Sequence, residues 1–246
     1  MIKINNLTKK YKDKLAVDNL NLEIKAGELF SLLETNIYGA GKTTTIKMLS
    51  TLILPTSGEV EINNLDLVKD SSKIKEIINI SPQETAVASN LTVLENLYFM
   101  AGIYQIPNKE DKIKELIKLF KLEEVLKQKA KTLSGGYQRK LSIAISLINN
   151  PKILFLDEPT LGLDVISRHD LWKVIELLKG KTTIILTTHY MEEAEVLSDR
   201  IGIMNKGKLI ELGTSKELIK KAKTKNFEDA FIKIIERDNN ENTNIC

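Results

Sequence analysis

Two carboxylates stand side by side at the end of Ile153-Leu154-Phe155-Leu156-Asp157-Glu158, a run apolar enough to be a buried strand. A strand-end aspartate can hold Mg²⁺ through its water shell, and a glutamate beside it can polarise an attacking water. An ordinary acidic turn before Pro159 would use the same residues. Earlier in the chain, Gly39-Ala40-Gly41-Lys42-Thr43-Thr44 stands between the apolar run Leu29 to Leu33 and a helix expected from about Thr43 to Leu52. Small residues there let successive backbone N–H groups turn inward on phosphate oxygens, and the helix N-terminus adds its positive end. Lys42 would then supply a point charge to the β and γ phosphates, and the Thr43 hydroxyl a ligand to Mg²⁺. The match to G-x-x-x-x-G-K-[ST] is incomplete: Asn36 holds the place of the first glycine, and the Glu34-to-Tyr38 lead-in is longer than expected. Asn tolerates positive φ, but Ile37 and Tyr38 suit an anion cradle poorly. With the Lys42 end intact, binding is expected to survive.

The third chemical segment is Thr132-Leu133-Ser134-Gly135-Gly136-Tyr137-Gln138-Arg139-Lys140. Ser134 is a good N-cap, yet the two glycines after it weaken the first helical turn by about 1 kcal/mol each relative to alanine. A helix meant only for packing would rarely carry them. They allow an anion to approach bare N–H groups at a positive helix end.

The elements that must position these groups follow from periodicity. Ile2 to Tyr11 and Val17 to Ile24 alternate as half-buried strands joined at Lys12-Asp13-Lys14, and Leu29 to Leu33 is a continuous apolar run suited to a central strand. Between Gln83 and Asn150 the pattern turns helical. Thr92 with Glu95 makes a capping box, and Ile113, Leu116, Ile117 and Phe120 share one helical face. Alternation returns after Pro151: strand Ile153 to Leu156, helix Ser167 to Leu178, strand Thr182 to Thr188, helix Met191 to Leu197 and strand Ile201 to Met204. Strand and helix in turn imply a parallel sheet with crossovers. Asn205-Lys206-Gly207-Lys208 reads as a hairpin turn, and the tail from Asp238 to Cys246 as disordered.

Composition narrows the classes. The 246 residues carry 28% charged and 42% hydrophobic side chains and a net charge of +3, which excludes a disordered polyelectrolyte and argues against nucleic-acid binding through bulk charge. The single cysteine, Cys246, allows no disulfide framework and no cysteine metal site. No apolar stretch approaches the ~20 residues of a bilayer span, and Met1 opens directly into Ile-Lys-Ile-Asn-Asn-Leu, so a cytoplasmic chain that reaches a membrane only through a partner is expected.

The motifs together resemble those of the ATP-binding cassette (ABC) ATPases over about residues 1 to 235, in family order. Tyr11 comes first, then the Gly39 to Thr44 loop, Gln83 before the helical insert, Leu-Ser-Gly-Gly at 133–136, Asp157-Glu158, Gly162-Leu163-Asp164, and His189 after Thr187-Thr188. The resemblance implies an α/β fold: a P-loop NTPase core with a mainly parallel sheet, an N-terminal antiparallel β layer and an inserted helical subdomain. The core would be RecA-like, over 1–83 and 151–237, with the helical subdomain at 84–150 and the disordered tail at 238–246.

It also implies roles. Gly39, Ala40, Gly41, Lys42, Thr43 and Thr44 would bind ATP, with Tyr11 stacked on adenine unless it is simply an edge-strand aromatic. Thr43, Asp157 and Gln83 would serve Mg²⁺, Gln83 also sensing the attacking water, unless it is an exposed loop glutamine. Glu158 would be the catalytic carboxylate and His189 would touch the γ phosphate. Asp164 would lie at a subunit contact, with Val165 where proline is usual. Ser134, Gly135 and Gly136 would close over the nucleotide of a second ABC subunit, a copy of this chain or a paralogue, and hydrolysis would reopen the pair. His169 is assigned to a solvated helix face.

An integral membrane permease subunit is the other implied partner, docked on Gln83 and the helical insert, with this chain peripheral on the inner face of the cell membrane; nucleic acid is not expected. Thr187-Thr188-His189-Tyr190-Met191-Glu192-Glu193-Ala194-Glu195 and Asn226 to Ile232 resemble the branch that exports drugs and antibiotics. The segment from Phe227 to Ile234 is equally an amphipathic closing helix. Two other readings remain: a regulatory nucleotide-binding subunit with weak or no hydrolysis, and a soluble ABC ATPase without a membrane partner.

Overall fold

A computed structural model describes residues 1–34 and 41–243, with the backbone alone for 241–243. The chain opens with a hairpin, β1 (Ile2–Tyr11) and β2 (Lys14–Ile24), and continues into β3 (Leu29–Glu34). Helix α1 (Lys42–Leu49), β4 (Ser57–Ile62), β5 (Leu65–Asp66), α2 (Ser71–Ile77) and β6 (Ile78–Ser81) come next. Three α-helices then run without a strand: α3 (Val93–Ile103), α4 (Lys109–Phe120) and α5 (Gly135–Ser146). The remainder is β7 (Ile153–Asp157), α6 (Val165–Leu178), β8 (Thr183–Thr188), α7 (Met191–Leu197), β9 (Arg200–Asn205), β10 (Lys208–Gly213), α8 (Ser215–Ala222) and α9 (Phe227–Thr243).

Two sheets result. The first is antiparallel, in the order β2-β1-β4-β5. The second runs β10-β9-β3-β8-β7-β6, parallel from β9 to β6, with β10 antiparallel on one edge. The pleat of the second sheet divides the core, because successive side chains point to opposite faces. Leu154, Leu156, Ile184 and Leu186 pack with α3 to α6, while Phe30, Leu32, Ile153, Phe155 and Ile185 pack with α1 and the antiparallel sheet. Strands buried on both faces read as continuous apolar runs, and this explains why β3, β7 and β8 are legible in sequence.

The helical insert obeys its predicted local chemistry. Thr92 N–H donates to Glu95 Oε2 at 2.7 Å and Glu95 N–H to Thr92 Oγ1 at 3.2 Å, completing the capping box. Ile113, Leu116 and Phe120 are buried, with Ile117 half-buried beside them. His169 is exposed, edge-on to Trp172.

The tail expected to be disordered over 238–246 is helical in its described part, and 244–246 lie outside the described residues. Residues 238–243 continue α9, seated by Phe227, Ala230, Phe231 and Ile234 in a third apolar cluster and tied by Asn205 Nδ2, which donates to Asp238 Oδ2 at 2.7 Å. A polar turn extends a helix that packing has already nucleated. Helix α1 is shorter than expected: it ends at Leu49, and Thr51 turns left-handed at φ 61°.

Candidate active site

Four neighbouring parallel strands deliver the chemical groups to one edge. Leu33 of β3 lies opposite Thr188 of β8, Thr187 opposite Asp157 of β7, and Leu156 opposite Ser81 of β6. Ligands of open α/β sheets bind at such carboxyl ends. Lys42 Nζ donates to Glu158 Oε1 at 3.1 Å and to the Thr188 carbonyl at 2.8 Å. The other Glu158 oxygen meets His189 Nδ1 at 2.5 Å. Thr43 Oγ1 donates to Asp157 Oδ1 at 3.2 Å, and Thr187 Oγ1 donates to the same oxygen. Lys42, Asp157 and Glu158 are buried, while Thr43 and His189 are half-buried at the rim. A cation, a carboxylate pair, a hydroxyl and an imidazole thus converge, and Lys42 and Glu158 neutralise each other.

Gly41 sits at φ 98°, where a Cβ would come within 2.3 Å of the Ala16 carbonyl oxygen, so no other residue fits between α1 and β2. Tyr11 pairs with Lys14 just before Ala16, which sets this half-exposed aromatic on the hairpin end near Gly41. Thr44 is half-buried on the first turn of α1. Gly39 and Ala40 lie outside the described residues, as do Asn36, Ile37 and Tyr38.

Glu158 is held in a left-handed conformation, φ 52°, a strain of about 1–3 kcal/mol for a non-glycine residue. Both sides of the residue are pinned. Its N–H donates to the Thr187 carbonyl and hydroxyl, each at 3.1 Å, and its carbonyl accepts from Arg139 Nη2 at 3.2 Å. Arg139 also donates to the Pro82 and Gln83 carbonyls, both at 2.7 Å. Burial pulls this guanidinium below the usual arginine range, offset by Asp157, Glu193 and Glu158. Gln83 therefore joins the site through its main chain, and its side chain is exposed. Sequence reasoning gave Arg139 no role, although a signal existed: Arg139, Ser142, Ile143 and Ser146 share the buried face of α5, and an arginine on such a face needs acceptors.

Ser134, Gly135, Gly136 and Asp164 form a second group. Ser134 caps α5, and Asp164 caps α6 through Ser167 N–H at 3.0 Å and Ser167 Oγ at 2.6 Å. Those two bonds hold the Asp164 carboxyl below the usual carboxylate range. A Cβ on Gly136 would lie 3.0 Å from Ser167 Oγ, so the two caps adjoin. On Gly135 a Cβ would meet nothing within 4 Å, and no packing inside the chain demands glycine there. Among the described residues no hydrogen bond or ion pair joins this group to Lys42, Thr43 or His189. Leu161, Val165 and Ile166 are exposed beside it, Ile166 by 77%.

Glu193, also passed over in sequence, is buried, and its carboxyl is pushed up from the ordinary value of 4.5 by burial, against the facing Thr188 hydroxyl and the hydrogen bonds from Trp172 and Thr160. A raised folded-state pKa means the native chain holds the proton longer than the unfolded one. The stabilisation is therefore complete below pH 4.5 and is lost as pH rises through the elevated folded value. Urea unfolding across that range should show stability falling by up to about 1.4 kcal/mol per pH unit, a slope that Glu193→Gln should flatten. An unchanged slope in the variant would refute the assignment.

A central strand leading to Lys-Thr at a helix start, with an acidic pair ending a nearby parallel strand, defines a P-loop nucleotide-binding fold. Residues 17–161 match the ABC transporter family, and the chain belongs to that family and carries its ATPase domain. Phospholipid-transporting ATPase ABCA3 of Homo sapiens is 42% identical over 220 residues, 87% of this chain but 13% of that protein. Linearmycin resistance ATP-binding protein LnrL of Bacillus subtilis is 40% identical over 221 residues, 89% of this chain and 70% of that protein. Among solved structures, the dimeric ATP-binding cassette MJ0796 in a post-hydrolysis state with ADP and Pi aligns with a TM-score of 0.79 at 30% identity, covering 87% of this chain and 98% of that one.

Proposed function

We propose that this chain hydrolyses ATP in a site completed by a second ABC subunit and thereby powers transport, most consistently export of a drug or antibiotic, through a separate membrane subunit. The convergence of Lys42, Thr43, Asp157, Glu158 and His189 at one sheet edge carries the reading. Lys42 exchanges Glu158 for the phosphates. Glu158, released, accepts the proton of an attacking water, and His189 donates to the γ phosphate. Phosphoryl transfer is mostly positioning and charge neutralisation, which suits so pre-arranged a set of groups.

Mg²⁺ fits the same residues. It favours one or two carboxylates, substrate phosphates and water over an all-protein cage, and Asp157 with the Thr43 hydroxyl offers such a partial set. Bound there, the ion would neutralise charge on the β and γ phosphates.

Exposed Ser134 and Gly135, with no internal reason for glycine, support a second chain over the nucleotide, as does the dimeric MJ0796. No helix among the described residues is long and apolar enough to cross a membrane; in this reading the permease is a separate subunit and this chain sits on the inner membrane face. LnrL favours an antibiotic as cargo; ABCA3 makes phospholipid the second candidate. The unusual lead-in at Asn36, Ile37 and Tyr38 keeps a weakly hydrolysing regulatory subunit as the other reading.

Sedimentation of Glu158→Gln should show a dimer with Mg-ATP and a monomer without it. Adding Ser134→Arg, which costs the cap only about 1 kcal/mol, should leave monomers. Monomers in every condition would end the two-chain reading, and recovery from cells without any integral membrane protein would end the transport reading.

A further inference from the structure

Beneath the acidic pair lies a buried connection that none of the assigned roles uses. Glu193, on the first turn of α7, is 0% exposed. Its Oε1 accepts from Thr160 Oγ1 at 2.8 Å and from Trp172 Nε1 at 2.9 Å. Thr160 is the second residue of the segment that runs from Pro159 to Asp164, and Trp172 lies on α6, which that segment enters. Glu193 Oε2 is buried without a hydrogen-bond partner. The charged groups facing this carboxyl are Glu158 and Arg139, and the Thr188 hydroxyl faces it from the end of β8. Helix α7 begins two residues after His189, whose ring lies 4.1 Å from that of Tyr190. The Arg168 guanidinium of α6 lies over the Tyr190 ring at 4.6 Å. The same two stretches, 160–172 and 188–193, are therefore clasped twice.

A link of this kind has a particular chemical form. A leucine or methionine at position 193 would fill the volume but strand a buried hydroxyl and a buried indole N–H, each costly without an acceptor. A carboxyl oxygen satisfies both at once. It does so between the element that presents Leu161, Asp164, Val165 and Ile166 outward and the element that carries His189.

We propose that Glu193 is a positioning residue that locks the outward-facing segment 161–164 to the start of α7, so that a second chain pressing on that segment sets the place of His189. This rests on the reading of His189 and the 161–164 segment as parts of one composite site. Glu193 itself touches no nucleotide. Its effect falls on the rate of the chemical step and not on ATP affinity, because Lys42 and Thr43 lie on a different element.

Steady-state phosphate release and ATP binding on the full chain test this. Thr160→Val removes one hydroxyl at nearly constant volume and should lower kcat by at least about tenfold, with ATP Kd and KM within about twofold, as small misplacements of catalytic groups do. Glu193→Gln keeps the shared acceptor and should retain kcat within about threefold, while Glu193→Leu should behave like Thr160→Val. Wild-type kcat in Thr160→Val would overturn the proposal, and it decides the matter even if Glu193→Leu does not fold. Equal losses in Glu193→Gln and Glu193→Leu, with ATP affinity falling alongside, would also overturn it by showing that packing alone is at stake. If Glu158→Gln stayed monomeric with Mg-ATP, the composite-site reading itself would fail; wild-type rates in Thr160→Val with that dimer intact would remove only the present inference.

Discussion

Glu158→Gln is expected to bind ATP as the parent chain does and to release phosphate about 10²–10⁴ times more slowly, the usual range for loss of a general base. The substitution preserves shape, and the amide oxygen still accepts from Lys42 at the position of Oε1. What disappears is a group able to take a proton. The left-handed backbone at φ 52° and its hold on Thr187 and Arg139 involve only the main-chain atoms of residue 158 and should persist. A single-turnover phosphate assay beside a nucleotide-binding titration measures both halves. Hydrolysis at the parent rate would move the catalytic role elsewhere, with His189 the remaining candidate; a collapse of binding would show that the Lys42 pair holds the cradle together.

Arg139→Met is expected to destabilise the chain by about 3 kcal/mol or more and to slow hydrolysis at least about tenfold even where the protein remains folded. One guanidinium satisfies the carbonyls of Pro82, Gln83 and Glu158, and hydrogen bonds to a charged donor are the stronger kind. Methionine leaves all three acceptors short of a partner, the Glu158 carbonyl in a buried place and those of Pro82 and Gln83 in partly buried ones. It also frees the Glu158 carbonyl, one of the two restraints on a strained residue, so the carboxylate can relax from its position beside His189. Lysine is not expected to rescue, since a point charge cannot reproduce a planar fork that reaches separate carbonyls. Thermal unfolding and phosphate release check this; an Arg139→Met chain with unchanged Tm and rate would show that the three contacts have no consequence.

Much of the architecture was open to inspection in the residues alone, and the reason differs from element to element. Runs such as Leu29 to Leu33 and Ile153 to Leu156 announce strands covered on both faces, because burial on two sides removes every polar position. The Thr92 and Glu95 box is a contact between neighbours in sequence, so its spacing is its geometry. The Ser134 cap on α5 is local in the same way. The end of α9 is not legible in sequence, since Asp238 and its polar successors carry no period of their own; what extends them to Thr243 is a helix packed elsewhere and a bond from Asn205, on a different element.

The chain's own order of residues determined which chemistries were present: a lysine and threonine at a helix start, an acidic pair at a strand end, a histidine after another strand, glycines bare at a capped helix. Only the tertiary structure decided that Lys42 and Glu158 neutralise each other, that Arg139 ties Gln83 to Glu158, and that Glu193 clasps Thr160 and Trp172. The physical reason lies in the partners. Arg139 is satisfied by main-chain carbonyls, 57, 56 and 19 positions away, and a carbonyl oxygen is the same in every residue, leaving no side-chain identity for a sequence pattern to register.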